Sequence, residues 1–152
     1  MHWDWLDYLV AFTVMGAMAG LLAIFIVKSR DVFYRLGGAA AVLTAFVLIW
    51  SNLAVGIVGE PNNPINLLYF GTLVFGAAGA TVARLEARGM AVTMFAVSLA
   101  QCVCIVLALA TRAGDYLMPS VIVTAFLSAG FSTSAWLFLQ AARPAQVLNH
   151  PR

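Results

Sequence analysis

The sequence predicts an all-α integral membrane bundle of five transmembrane helices, with residues 1–152 forming a single transmembrane domain. Three observations carry this. The chain is 63% hydrophobic and only 9% charged, against about 25% charged residues in soluble domains. Five apolar stretches fill it, at about 8–27, 36–58, 67–83, 90–110 and 117–142. Each approaches the roughly 20 residues that a helix rising about 1.5 Å per residue needs to cross hydrocarbon about 30 Å thick. Seven of the eight Lys and Arg residues fall in alternate connections between the stretches or after the last one. No connection is long enough to bury a core of its own.

The first stretch follows Met1-His2-Trp3-Asp4-Trp5-Leu6-Asp7, which is acidic and aromatic where a signal peptide would be basic. It ends at Lys28-Ser29-Arg30, a stop-transfer pattern, and is expected to be retained as the first helix. Gly16 and Gly20 form a GxxxG on it, a surface for helix packing or for docking a partner helix. The second and third stretches carry the similarly spaced pairs Gly37/Ala41 and Gly76/Ala80. The fourth carries Ala96, Ala100, Cys104 and Ala108, and the fifth Ser128 and Ser132. Lipid tails are as apolar as Leu, so helices in a bilayer associate through such close-packing small residues. Cys102 and Cys104 lie two apart on one helix and do not face each other, so they neither close a disulfide nor chelate one metal.

Charge sets the threading. Lys28, Arg30, Arg35, Arg84, Arg88, Arg143 and Arg152 share one side, and only Arg112 falls on the other. The positive-inside rule makes the first side cytoplasmic, with the N-terminus out and the C-terminus in. Trp3, Trp5, Tyr8 and Tyr116 suit an outer aromatic belt; Phe33, Tyr34 and Trp136 suit an inner one. The expected location is the bacterial inner membrane, multi-pass.

The connection between the second and third helices holds most of the local detail. Gly59 suits the left-handed end of a helix, Pro61 stops its continuation, and Asn63 or Asn66 suits the N-cap of the third helix. Glu60, Asn62 and Asn63 are the candidates for an outer recognition surface. The run Trp50-Ser51-Asn52-Leu53-Ala54-Val55-Gly56, followed by Gly59, Asn62 or Asn63, Pro64, Asn66, Leu67, Tyr69 and Gly71, resembles a group of small bacterial inner-membrane proteins. Arg88-Gly89-Met90 is similar too. The resemblance spans helices two to five, making the first helix an addition to a four-helix pattern. It implies a compact helical membrane protein and no activity.

No Asp, Glu, Lys, Arg or His falls near the middle of any stretch, and His2 and His150 lie at opposite ends of the chain. Intramembrane ionisable groups mark proton relays and coupled transport, and paired core imidazoles mark haem or metal sites. With no serine elbow and no phosphate loop either, no enzyme, cofactor or metal is expected. The polar groups left at membrane depth are Asn52 and Thr72, each about 10 Å below the outer surface at helical rise, and Gln101 and Ser128, somewhat deeper. The expectation is that Asn52 meets Thr72 and Gln101 meets Ser128, or near substitutes, as interhelical bonds. Alternatively Trp50, Asn52, Tyr69 and Gln101 line an outward-opening pocket for a lipid, quinone or pigment tail.

The function expected first is a non-catalytic accessory or structural subunit of a larger membrane complex of respiratory or photosynthetic type. The alternatives are a lipid- or quinone-binding membrane protein and a small oligomeric channel or transporter. The partners expected are the lipid bilayer and other membrane subunits. The basic residues are too scattered for a concentrated patch, and no nucleic acid is expected.

Overall fold

The computed structural model describes residues 5–59, 63–110 and 117–143. Five helices fill them: α1 (Trp5–Lys28), α2 (Val32–Ala54), α3 (Pro64–Val82), α4 (Ala87–Ala110) and α5 (Leu117–Ala141). All five are long and apolar enough to cross a membrane, so the chain is a multi-pass membrane protein. One end of the bundle carries Lys28, Arg30, Arg35, Arg84, Arg88 and Arg143 beside Asp31 and Glu86. We call it the basic end.

Helix α2 departs most from its expected bounds of 36–58. It starts earlier because Asp31 is its N-cap, the carboxylate accepting from the Tyr34 N–H at 2.8 Å. It stops earlier because Gly56 turns left-handed at φ 76, leaving Val55 as the C-cap. Gly59 is left-handed too, at φ 66. The apolar residues Ile57 and Val58 between them are a buried loop, not a last helical turn. A buried N–H needs an acceptor, and the Asn66 carboxamide oxygen takes both, from Ile57 at 3.0 Å and Val58 at 2.8 Å. Of the two expected caps, Asn63 performs the role, accepting from Ile65 N–H at 3.0 Å, with Pro64 in the first turn of α3.

Around the bundle the neighbours run α1, α2, α5, α4, α3. Helix α4 presents Met90, Met94, Val97, Gln101, Cys104 and Ala108 inward, a stripe at three- and four-residue intervals. Helix α1 packs mainly along α2 and buries only Phe25. That ring sits against Gly38, where any Cβ would collide with it. It also meets the rings of Tyr34 and Phe138, each with centroids 5.9 Å away. Tyr34 is therefore a core residue and not part of an aromatic belt, whereas Phe33 and Trp136 are exposed.

Helices α2 and α3 are consecutive yet barely touch along their lengths. They are tied at both extremities. Near residues 55–63, Asn52 Nδ2 donates to Asn66 O at 3.1 Å. At the basic end, the Tyr34 hydroxyl donates to Leu85 O at 2.6 Å. Between these ties the two helices part.

Candidate functional site: an apolar cavity between α2 and α3

The parting leaves a partly open cavity of about 610 Å³, within the roughly 300–1,000 Å³ of ligand pockets. Ala41, Ala45 and Ile49 form one wall and Leu73, Ala77 and Ala80 the other; Met94 and Val97 of α4 close the back, and Met18 and Phe25 of α1 stand at the side. Its small residues make the space: alanine at 45, 77 and 80 leaves volume that Leu or Phe would fill. Along α3 it runs from Thr72 to Thr81, about 14 Å at helical rise. One leaflet of hydrocarbon, half of a core about 30 Å thick, is close to that.

The wall offers little to a polar ligand. The Thr72 hydroxyl donates to Tyr69 O and the Thr81 hydroxyl to Ala78 O, each at 2.7 Å, so their protons are held by their own helix. Among the described residues the one charged residue on the lining is Arg84, at the basic end. Arg84 is exposed and sits in the turn that ends α3. There Leu85 N–H bonds to Ala80 O at 3.1 Å and Arg84 N–H to Thr81 O at 3.0 Å, the paired bonds of a Schellman motif. The residue after the C-cap in that motif is usually Gly, because it must be left-handed. Here Arg84 takes φ 51 and Leu85 φ 56. A left-handed non-glycine residue costs roughly 1–2 kcal/mol, and the Tyr34–Leu85 bond helps to hold the pair there.

The structure disperses the residues singled out from sequence. Trp50 is exposed and stacks on Phe46 with ring centroids 5.9 Å apart. Asn52 bonds Asn66 and not Thr72, because the buried loop brings Asn66 beside it. Thr72 bonds within its own helix and lines the cavity. Tyr69 is fully buried and its hydroxyl meets Thr124 Oγ1 at 2.7 Å. Gln101 is fully buried with neither end of its carboxamide bonded. Ser128 pairs instead with Ser98, whose hydroxyl donates to Ser128 O at 3.0 Å and meets Ser132 Oγ at 2.9 Å. The Ser98 bonds lie one turn away from the expected Gln101–Ser128 pair and are its near substitutes, and the Ser128 hydroxyl also meets Cys102 Sγ at 3.8 Å. Of the four residues expected to line an outward pocket, none lines this cavity. At Gly16 and Gly20 an added Cβ would meet no atom of another element within 4 Å. Asn63 is the cap already described, and Glu60 and Asn62 lie outside the described residues.

Arg84, Ala45, Ala77 and Met94 did not stand out in the sequence. Arg84 served there only to count charge. The signal that could have found it is the absence of glycine where α3 must reverse, at Ala83-Arg84-Leu85. No protein-family model matches the chain, and neither curated proteins nor solved structures give a match.

Proposed function

We propose that this chain is a non-catalytic, amphiphile-binding protein of the bacterial inner membrane, holding the apolar tail of a lipid or quinone in the cavity between α2 and α3. The observation that carries the proposal is a leaflet-deep apolar space whose hydroxyls are already satisfied. Transfer of alkyl surface into such a space is favourable when the walls fit, and no polar group has to be left unpaired. The positive-inside rule assigns the basic end to the cytoplasm, so the tail would enter from the cytoplasmic leaflet. Native mass spectrometry of the detergent-purified chain tests this. One amphiphile per chain is expected, and it should be lost in Ala77→Phe, which fills the space from a side chain facing it. A bare protein mass under gentle activation would contradict the proposal.

A second reading is favoured by α1. This helix buries one residue and leaves Gly16 and Gly20 open, as expected of a helix that completes its packing on another subunit of a respiratory or photosynthetic type of complex. Solubilisation of native membranes in mild detergent should then bring down larger, stoichiometric partners, and a lone monomer would count against it.

A further inference from the structure

The cavity ends at a charged residue. Among the described residues Arg84 is the one ionic residue on its lining, and it occupies a backbone conformation that glycine would fill with less strain. The turn is anchored from two directions, by the Schellman bonds to Ala80 and Thr81 and by the Tyr34 hydroxyl on Leu85 O. Among the described residues the Arg84 guanidinium has no hydrogen-bond or ion-pair partner. Around it the basic end carries five further cations and two carboxylates, and one of those carboxylates, Asp31, is engaged as the cap of α2.

We propose that the cavity is selective for an anionic phospholipid, with one acyl chain lying between α2 and α3 and the headgroup phosphate on the Arg84 guanidinium. The inference rests on the amphiphile reading above. An apolar slot about one leaflet deep, ending at a cationic residue whose backbone is anchored, matches a lipid chain with its phosphate at the membrane surface. A planar guanidinium offers two parallel N–H donors to phosphate oxygens, which a lysine ammonium cannot reproduce. A zwitterionic headgroup brings its own cation close to Arg84, and so it should be held less well.

The test compares nanodiscs of dioleoylphosphatidylglycerol with nanodiscs of dioleoylphosphatidylcholine, reading lipid retained per chain by native mass spectrometry after transfer to detergent. The full chain is compared with Arg84→Gly, Arg84→Lys and Ala77→Phe. Arg84→Gly relaxes the turn while removing the charge, so its loss of lipid would not stem from misfolding. The expected result is about fivefold greater retention of the glycerol lipid, the size of one interfacial Arg contribution. That preference should vanish in Arg84→Gly and be partly kept in Arg84→Lys, and Ala77→Phe should release both lipids. Equal retention of the two lipids, unchanged by Arg84→Gly yet abolished by Ala77→Phe, would overturn the headgroup inference and leave the cavity reading standing. A glycerol-lipid preference indifferent to Ala77→Phe would place the lipid on the basic surface and overturn the inference. No retention of either lipid would remove the cavity reading and the inference together.

Discussion

The Tyr34 hydroxyl donates to the Leu85 carbonyl at 2.6 Å, tying the first turn of α2 to the left-handed turn that carries Arg84. Residues 51 apart in sequence thereby fix the charged end of the cavity. Tyr34→Phe keeps the ring against Phe25 and Phe138 and removes only the bond. We expect it to lower stability by about 1 kcal/mol, read from the midpoint of thermal unfolding in detergent. An unchanged midpoint would mean that the turn is held by its own backbone bonds.

Arg84→Gly should move stability the other way. Removing the Cβ from a left-handed position relieves strain of about 1 kcal/mol, so the same melting experiment should show a higher midpoint. A lower one would show that the guanidinium itself supports the fold.

The connecting loop gives a ranking. Asn66→Ala strands the Ile57 and Val58 N–H groups in a buried site, and each stranded group costs about 1–3 kcal/mol. Asn63→Ala removes a cap worth about 1 kcal/mol. Asn66→Ala should therefore be the more damaging of the two in reversible unfolding by SDS; the reverse order would refute the clamp.

The class and number of helices were legible because hydrocarbon thickness imposes both length and apolarity, and both are written along the chain. Their ends were less so. Residues 55–58 are as apolar as a helix, and only Gly56 and a partner eight residues on, Asn66, make them a buried loop. The polar bonds fell to near substitutes of the expected pairs for a related reason. Depth alone puts Asn52 level with Thr72, but helix rotation decides which side chains face, and rotation is set by tertiary packing that periodicity does not contain. The cavity was illegible altogether, since it arises where two consecutive helices part.

Gln101 offers a sharper case. Its buried carboxamide is unbonded at both ends, and an unsatisfied amide is costly, so an apolar residue of like shape should be tolerated or better. Gln101→Met is expected to raise stability by about 1 kcal/mol in chemical denaturation. A clear loss would mean that the carboxamide is satisfied in the membrane, by water or by ligand.

Phe25 is the one buried residue of α1. Phe25→Ala should loosen this helix while α2 to α5 stay folded. Spin labels at Ala17 on α1 and Ala78 on α3, in a chain without its native cysteines, would then show a broadened distance distribution. An unaltered distribution would mean that α1 is held elsewhere along its length.

The central claim is that an alkyl chain lies in the apolar cavity between α2 and α3. The most direct measurement is photocrosslinking in proteoliposomes with a lipid bearing a diazirine on its acyl chain, followed by peptide mapping. The account predicts adducts on Ala45, Ala77 and Met94, which wall the cavity. Adducts confined to outward residues such as Leu43 and Phe95, both more than half exposed, would contradict it.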